Sequence, residues 1–308
     1  MRHRVRQVLR CPACEGLLTE TTGGKDEKKP DGFHCSKCDR AFPVKEEVPR
    51  MLLAPAEYTP AAQSFGFQWK TRERGGFEAD TLYGLTEEEE HAALVNAYGV
   101  RADDFQGKLF LDVGCGDGAS LELVGRDGAE VVGMDINTSI TVSHRRCKVL
   151  ENVTVLQVDM FHPCFAPASF DFVWCEGVVV ATSEPFKAFQ SICRLVKPGG
   201  QLYLWVYPSE RPSIYQSIRD LLVAPYILPR PILYRLSYCL ALCLLPLFRL
   251  TGRKRTLRTA AFDLFDNLSP RYQWRYTENE IRKWFTDAGF VDLRVTGRIG
   301  MSGRLARG

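Results

Sequence analysis

The sequence contains little net charge and few histidines. Its 40 basic residues exceed the 37 acidic ones by only three, and there are five histidines in 308 residues. A net charge this small does not by itself indicate binding to nucleic acid. Basic residues are nevertheless concentrated in two places: Arg2, Arg4, Arg6 and Arg10 near the N-terminus, and Arg249, Arg253, Lys254, Arg255 and Arg258 further on. Such clusters are more often solvated surfaces than binding sites.

Long uncharged apolar segments are also missing. The basic residues 1–10 are not followed by the apolar stretch of a secretory signal, so we expect a cytoplasmic protein. The most apolar segment, 221–250, contains four prolines, and its longest uncharged run is the 13 residues Leu236–Phe248. A membrane-spanning helix needs about 20 apolar residues. We therefore predict no transmembrane segment and leave peripheral contact with a membrane through 208–258 as an open alternative.

Prolines and changes in hydrophobic periodicity divide the chain into five predicted units. From residue 108 onward, short apolar strands alternate with helices, which is typical of a parallel sheet covered by helices on both faces. The alternation stops after residue 207 and resumes with a helix start at Thr277–Glu280. The predicted units are 1–53, a small cysteine-rich domain; 54–104, a linker and N-terminal helices; 105–207, the ligand-binding core; 208–276, a helical insertion or lid; and 277–308, the C-terminal part of the sheet.

A glycine-rich loop joins the first predicted strand of the core to the helix that follows it. Gly114, Gly116 and Gly118 allow a tight turn and a close approach of the backbone to a ligand. The dinucleotide pattern G-x-G-x-x-G has its third glycine one residue later than this loop. Asp112, just before the loop, would repel a pyrophosphate and suits a cationic amino group instead.

Two further aspartates end the next strands of the predicted sheet. Asp135 lies 23 residues after Asp112, at the end of the second strand, and Asp159, followed by Met160, ends the third. Ligands of open α/β sheets bind at the carboxyl ends of adjacent strands. We therefore expect Asp135 to accept hydrogen bonds from a ribose and the Asp159 region to contact an adenine. Amino acid, ribose and adenine together predict S-adenosylmethionine.

In order and spacing, these motifs resemble those of class I S-adenosylmethionine-dependent methyltransferases. The resemblance runs through Asp112–Gly118, Gly133–Asp135, Val158–Met160, Phe170–Val173 and Leu195–Gly200. It implies an α/β fold with a doubly wound, mostly parallel, seven-stranded sheet whose last strand is antiparallel. The cofactor-binding residues implied by the resemblance are Asp112, Gly114, Cys115, Gly116, Gly118, Asp135, Ile136, Asp159, Met160 and Glu176.

Two cysteine pairs near the N-terminus have the spacing of a metal site. Cys11 and Cys14 are separated by two residues, as are Cys35 and Cys38, and 20 residues lie between the pairs. Four thiolates at this spacing are typical of a structural zinc ion. An odd total of eleven cysteines, without a secretory signal, favours a metal site and free thiols over disulfides. The unit resembles zinc ribbons that precede some ribosomal RNA methyltransferases and the activator subunit of tRNA and protein methyltransferases.

The residues that would select the methyl acceptor are harder to identify. Many similar small-molecule methyltransferases carry two histidines after the fourth strand, where this chain has Val180 and Ala181. The Asn/Asp-Pro-Pro-Tyr motif of amino-group methylation on bases is also absent, and Cys175–Gly177 occupies its place. The candidate general bases are His162, just past the third strand, and Glu176, at the end of the fourth. A dedicated base is not required, because positioning alone can supply much of the rate of methyl transfer.

Three functions are consistent with the sequence. The first is transfer of a methyl group from S-adenosylmethionine to a small-molecule acceptor, with oxygen as the methylated atom, by in-line displacement. The second is methylation of ribosomal or transfer RNA, with the zinc ribbon binding the RNA. The third is a non-catalytic partner subunit with a methyltransferase fold. The modest net charge and the apolar insertion favour the first, and Phe262–Tyr276 resembles a segment that re-enters the pocket in similar enzymes.

Overall fold

The computed structural model describes residues 3–22, 31–54, 60–77, 85–209, 228–250, 256–297 and 299–307, with the backbone alone for 60–62 and 247–250. The strands are β1 (Leu18–Thr21), β2 (Gly32–Cys35), β3 (Arg40–Lys45), β4 (Val48–Met51), β5 (Leu109–Val113), β6 (Glu130–Asp135), β7 (Val153–Val158), β8 (Phe170–Glu176), β9 (Val196–Trp205), β10 (Tyr207–Pro208), β11 (Arg275–Tyr276), β12 (Phe290–Thr296) and β13 (Gly300–Leu305). The α-helices are α1 (His3–Val8), α2 (Pro60–Glu73), α3 (Glu87–Tyr98), α4 (Ala119–Arg126), α5 (Ile140–Cys147), α6 (Pro185–Cys193), α7 (Arg230–Leu250), α8 (Leu257–Leu268) and α9 (Glu278–Asp287).

Seven strands of the core form one sheet in the order β7-β6-β5-β8-β9-β13-β12. Strands β5 to β9 pair in parallel, and β13 runs antiparallel to both of its neighbours. All five residues of β5 are buried, as expected for a central parallel strand with helices on both faces. The prediction of a doubly wound, mostly parallel, seven-stranded sheet with an antiparallel last strand is confirmed.

Helices cover both faces of this sheet. Leu94 of α3, Leu121 of α4 and Ile140 of α5 belong to one buried cluster, whereas Phe189 of α6 and Phe285 of α9 belong to another. The helix start that the sequence indicated at Thr277 is a capping box, in which threonine and the glutamate three residues later satisfy each other's backbone N–H groups. Helix α3 begins with a second capping box, at Thr86. These caps determine where the helices that flank the sheet begin.

The run Lys197–Gly200 departs from the sequence prediction. We expected it to close the preceding helix, with the fifth strand beginning at Gln201. In the structure α6 ends at Cys193 and β9 already begins at Val196, with Phe170 of β8 paired to Val196. The early pairing follows from the sheet: the backbone N–H groups of Ser169 and Phe170 both bond to the carbonyl of Leu195, which draws this segment alongside β8.

The N-terminal cysteine-rich unit continues the same sheet. Strands β1 to β4 pair antiparallel with one another, and β4 then pairs in parallel with β7, aligning Met51 with Val158. A bridge between Leu9 and Phe165 makes a second attachment. Within the described ranges, the sheet therefore has eleven strands. The domain boundaries derived from the sequence remain predictions, and the one at residue 53 falls just after β4.

The insertion contributes α7 and α8, which pack with α2. Trp69 and Phe77 share a buried cluster with Leu233 of α7 and with Phe262 and Phe265 of α8. No helix in the described ranges is long and apolar enough to cross a bilayer. Several residues named in the predictions lie outside the described residues, or have no described side chain: Arg2, Arg249, Arg253, Lys254 and Arg255. The same holds for residues 210–227 of the predicted insertion.

Candidate active site

A cavity of about 1080 Å³ opens at the carboxyl ends of the parallel strands. The strand ends and the glycine loop form its base, and residues of α2, α3 and α8 form its walls. The predicted cofactor residues that line it are Asp112, Gly114, Cys115, Gly116, Asp135, Ile136, Asp159, Met160 and Glu176. Gly118 is not among the lining residues; it is the last glycine of the loop and the N-cap of α4. The sheet thus brings residues from four separate strand ends to one cavity.

The glycine loop is held tightly at its centre. Gly114, Gly116 and Gly118 all have positive φ, at 79°, 55° and 87°. At Gly116 a Cβ atom would also lie 2.8 Å from the ring of Trp69, so both the backbone angle and the available space require glycine there. The N–H group of Gly114 donates to the carbonyl of Met134 at 2.7 Å, which attaches the loop to the end of β6.

Asp112 is a buried carboxylate at the end of β5. It is 2% exposed and accepts a hydrogen bond from the Ser120 hydroxyl. Burial raises its pKa to about 7 against the opposing effect of that hydrogen bond, and the negative charges of Glu176, Asp135 and Glu90 raise it further. A positively charged ligand group would remove this penalty, so the position favours a cation.

Asp135 is oriented by the backbone. Its Oδ2 accepts the N–H of Gly116 at 3.1 Å, and its Oδ1 accepts the N–H of Asn137 at 3.0 Å. Burial nevertheless raises its pKa. An ionised carboxylate has about four acceptor positions, so each oxygen retains capacity for a ligand hydroxyl. The arrangement is suited to a diol presented to the end of β6.

The turn after β7 separates the cavity from one of the two candidate bases. Asp159 accepts the N–H of Phe161 at 2.9 Å through Oδ1, and its carbonyl accepts the N–H of His162 at 2.9 Å. Asp159, Met160 and Phe161 line the cavity, whereas His162 is exposed and is not one of the described residues that line it. Of the two candidate bases, the fold brings only Glu176 to the cavity.

Glu176 ends β8 and faces the cavity. Water reaches its side chain in the cavity, although protein lies on most sides of it. The resulting loss of hydration raises the pKa of Glu176 to about 7, and the negative charge of Glu90 contributes to the same shift. The Trp174 side chain opposes the shift by donating a hydrogen bond to it. A carboxylate that titrates near pH 7 is suited to accept a proton at neutral pH.

Helices α2 and α3 supply cavity residues that the sequence analysis missed. Phe65, Trp69 and Glu90 line the cavity, although the segment 54–104 was predicted only as a linker and helices. The Gln68 amide donates to Asp266 of α8 at 2.8 Å, which joins the two walls. Phe65 and Trp69 are four residues apart, the spacing of one helix face, and this was the available signal. Glu90 was hidden because the acidic run at the start of α3 is explained by helix capping alone.

The segment 262–276 also reaches the cavity. Asp263, Asp266 and Tyr272 line it, whereas Trp274 and Tyr276 do not. Trp274 instead holds the segment in place: its backbone N–H donates to the carbonyl of Val180 at 3.1 Å, and its indole N–H donates to the carbonyl of Thr182 at 2.9 Å. Trp274 and Tyr276 are therefore outside the cavity.

The four N-terminal cysteines lie together as a second, separate group. All four Sγ atoms lie within 4.8 Å of one another, with Cys11 and Cys38 at 3.6 Å and Cys14 and Cys35 at 3.5 Å. A tetrahedral zinc ion with Zn–S bonds of about 2.3 Å holds its sulfurs about 3.8 Å apart. The four thiols could therefore hold zinc with little movement. None of the four lines the cavity, so this group is not part of the candidate active site.

Comparison with known families identifies the core. Residues 111–204 match the model of a family described as a methyltransferase domain. These residues run from β5, through the glycine loop, to β9. Residues 111–204 form a class I methyltransferase domain. The sequence prediction of a class I S-adenosylmethionine-dependent methyltransferase is confirmed for this domain.

Curated relatives of the methyltransferase domain carry one recurring name. The chain is 34% identical over 107 residues to the ubiquinone biosynthesis O-methyltransferase of Vibrio cholerae, a match covering 33% of this chain and 43% of that protein. The protein of the same name from Proteus mirabilis is 36% identical over 107 residues, with the same coverage. The chain thus matches less than half of the length of these relatives.

A solved structure supports the fold of the methyltransferase domain. Phosphoethanolamine N-methyltransferase 2 of Haemonchus contortus, in complex with phosphomonomethylethanolamine and S-adenosylhomocysteine, is similar with a TM-score of 0.51 and 18% sequence identity. The similarity covers 78% of this chain and 44% of that chain. At this identity the likeness concerns the fold alone.

Proposed function

We propose that this chain transfers a methyl group from S-adenosylmethionine to an oxygen atom of a small-molecule acceptor. The observation that carries the proposal is the cavity at the strand ends of a methyltransferase domain, where buried carboxylates gather beside the glycine loop. Its volume of about 1080 Å³ leaves room for a second molecule beside a nucleoside cofactor. Oxygen as the methylated atom is supported by the name of the curated relatives, which are O-methyltransferases.

The lining residues fit the chemical parts of the cofactor. Asp112 would accept the amino group of the methionine part, and Asp135, held by two backbone N–H groups, would accept the ribose hydroxyls. The remaining cofactor contacts in the proposal are Gly114, Cys115, Gly116, Gly118, Ile136, Asp159, Met160 and Glu176. When bound, S-adenosylmethionine would supply an electrophilic methyl group on a positively charged sulfur.

Glu176 is the proposed general base. It lines the cavity beside Trp174, and its raised pKa of about 7 leaves part of it ionised at neutral pH and able to take the proton of an acceptor hydroxyl. Loss of that proton leaves an oxygen nucleophile for the methyl group. The chain needs no inherited histidine for this step, which agrees with Val180 and Ala181 at the positions where similar enzymes carry histidines.

The contacts of the basic N-terminus count against RNA as the acceptor. Arg4 lies 3.8 Å from Asp171 of the sheet, and Arg6 lies 2.8 Å from Glu20 of β1. Side chains that are already paired with acids have less positive charge to offer to phosphates. Among the described residues, no lysine, arginine or histidine lines the cavity. The described contacts give no support to peripheral contact with a membrane either.

We further propose that the four cysteines hold a structural zinc ion. The sulfur separations of 3.5 and 3.6 Å support a closed four-thiolate site without an open position for a substrate. In this proposal the ion folds the N-terminal unit and takes no part in methyl transfer. Measurement of one equivalent of zinc in the purified protein by elemental analysis would test it; absence of any metal in a folded protein would contradict it.

Incubation with labelled S-adenosylmethionine and separate RNA, protein and small-molecule fractions tests the main proposal. We expect label in the small-molecule fraction. Asp135→Ala should abolish labelling and lower cofactor affinity at least 100-fold, whereas Asp103→Ala, at an exposed position, should have no effect. Label in RNA would support the alternative function. Binding without labelling of any fraction would indicate a non-catalytic subunit, and labelling by the Asp135→Ala variant would refute the cofactor assignment.

A further inference from the structure

Helix α2 carries a buried stripe of polar side chains. Ser64, Gln68 and Arg72 follow one another at intervals of four residues, so they lie on one face of the helix. Ser64 and Gln68 are fully buried, and Arg72 is 6% exposed. Polar groups are costly to bury unless they have hydrogen-bond partners, and those partners then fix the position of the element that carries them. The stripe therefore specifies what α2 packs against.

Two residues of the stripe bond to the predicted insertion. The Ser64 hydroxyl donates to the carbonyl of Ser269, just after α8, at 2.6 Å, and the Gln68 amide donates to Asp266 of α8 at 2.8 Å. Asp266 lines the cavity, whereas Ser64 and Gln68 are not among the described residues that line it. This part of the stripe therefore fixes α2 to a wall of the cavity without entering the cavity.

The third residue of the stripe bonds to the glycine loop. The Arg72 guanidinium pairs with Asp117, a residue of the loop that lines the cavity, and both side chains are less than one tenth exposed. Asp117 also accepts the backbone N–H of Ala119 at 3.3 Å, in the first turn of α4. Its second arginine is Arg146 of α5, at 3.2 Å, whose side chain is 30% exposed. Loss of Arg72 would leave the buried carboxylate of Asp117 with the more exposed of its two arginines, at a cost to the loop.

Trp69 brings α2 against the neighbouring residue of the same loop. A Cβ atom at Gly116 would lie 2.8 Å from the Trp69 ring, and the centroid of that ring is 6.0 Å from the ring centroid of Phe262 in α8. The N–H of Gly116 in turn donates to Asp135 at 3.1 Å. A change in the position of α2 would therefore disturb the loop at Gly116 and Asp117, and Gly116 helps to orient Asp135.

We infer that Arg72 is a positioning residue for the cofactor, and that the buried stripe of α2 holds the glycine loop and the α8 wall in one arrangement. The inference rests on the proposed function, because it takes the cavity as the site of S-adenosylmethionine. Arg72 holds the loop through Asp117, and Gln68 holds α2 through Asp266. Neither Arg72 nor Gln68 is a described lining residue, so each acts on the cofactor through the residue to which it is bonded.

Calorimetric titration of the full-length protein with S-adenosylhomocysteine tests this inference, because it measures the dissociation constant and the number of binding sites separately. Arg72→Gln should raise the dissociation constant about 10- to 100-fold and leave the number of sites unchanged. Gln68→Met, which removes the amide but keeps the length of the side chain, should raise it about three- to tenfold. Arg72→Lys keeps the charge without the planar fork of donors, so we expect an intermediate dissociation constant.

Two results of this titration would overturn the inference. One is an unchanged dissociation constant in Arg72→Gln or in Gln68→Met. The other is a loss of binding sites at an unchanged dissociation constant, which would show that the stripe serves only the stability of the fold. Either result would leave the proposed function standing, because the unaltered protein would still bind the cofactor product. Failure of the unaltered protein to bind S-adenosylhomocysteine would instead refute the proposed function.

Arg145→Gln is the matched control. Arg145 of α5 pairs with Glu73 of α2 at 2.7 and 2.8 Å, but this pair is exposed, and neither residue is among the described residues that line the cavity. The variant therefore removes an arginine–carboxylate pair from the same helix without touching the glycine loop, and it should leave the dissociation constant unchanged. An equal rise in Arg145→Gln and Arg72→Gln would overturn the inference, because any contact of α2 would then have the same effect.

Discussion

The N-terminal unit that contains Cys11, Cys14, Cys35 and Cys38 is called the ribbon below. The ribbon and the cavity differ in which partners their charged and polar groups have. In the ribbon, the four cysteines face one another within 4.8 Å, and Arg6 is paired with Glu20. In the cavity, carboxylates raise one another's pKa and no described lining residue is basic. The cysteines of the ribbon face one another, whereas Asp112 lies near the charge of Glu176 and has no ion pair with a described basic side chain, an arrangement typical of a ligand site. The difference separates the structural part of this chain from the chemical part.

The largest effect is expected from breaking the ribbon. Removal of zinc, or Cys11→Ser, should lower the melting temperature of the whole chain by about 10 °C or more, because a structural zinc site contributes its binding energy to folding and β4 shares a sheet and a core with the methyltransferase domain. Thermal unfolding with and without a chelator measures this. Cys239→Ser, at an exposed cysteine of α7, is the control. A chelator that leaves the main transition unchanged would show that the two regions fold independently.

The second largest effect concerns the buried charge of the cavity. The pKa of Asp112 is about 7 in the folded chain, against about 3.9 in an unfolded one, so the folded state binds more protons between these values. The free energy of unfolding without cofactor should therefore fall as pH rises from about 4 to 7, by up to about 4 kcal/mol from Asp112, and level off above. Denaturant titrations at several pH values measure this slope. Asp112→Asn should make the slope smaller; an equal slope in the two proteins would show that burial does not raise the pKa of Asp112.

The third effect tests the glycine loop against a matched glycine. Gly116→Ala should lower the affinity for S-adenosylmethionine about 10- to 100-fold, because the new Cβ would press on the Trp69 ring at a positive φ. Gly107→Ala adds the same atom at φ 68°, where nothing lies within 4 Å of it, so it should cost stability but leave cofactor affinity unchanged. Calorimetric titration measures both. If the two variants lose the same affinity for S-adenosylmethionine, the loss comes from backbone strain at a positive φ and not from the position of Gly116 in the glycine loop.

The smallest effect is expected at the surface of the ribbon. Arg4 is about two-fifths exposed and lies 3.9 Å from Glu130 and 3.8 Å from Asp171. Exposed pairs of this kind contribute about 0 to 1 kcal/mol, so Arg4→Ala should change the free energy of unfolding by less than about 1 kcal/mol and leave methyl transfer intact. Denaturant unfolding and the labelling assay check this. A loss of labelled product would instead indicate that the basic N-terminus binds the substrate, contrary to the expectation from its ion pairs.

Features with a local cause could be predicted from the sequence. Strand β5 is uniformly apolar except for Asp112, the caps at Thr86 and Thr277 follow from residues three positions apart, and the cysteine pairs have fixed spacing. The strand-end aspartates were also predictable, because a parallel sheet places its carboxyl ends at one edge. Their predicted roles in binding the cofactor remain predictions.

Features that depend on tertiary packing could not be predicted. Trp69 reaches the cavity because α2 packs between the glycine loop and α8, and no local pattern specifies that position. Likewise, the sequence indicates a short strand at Val48–Leu53, and the structure has β4 at Val48–Met51, but no local pattern predicts its pairing with β7. Sequence reasoning therefore identified the cavity residues at the strand ends better than those from the helices, which are distant in the chain.

The pairing of β4 with β7 has a consequence for the chain without its ribbon. Strand β7 would otherwise be the outer strand of the parallel sheet, with a row of backbone N–H and C=O groups open to any extended segment of another molecule. A chain that begins at residue 54, or one whose ribbon has unfolded, would expose this row next to apolar side chains such as Val158. We expect such a chain to self-associate edge to edge, so that loss of the ribbon would lead to aggregation as well as to lower stability.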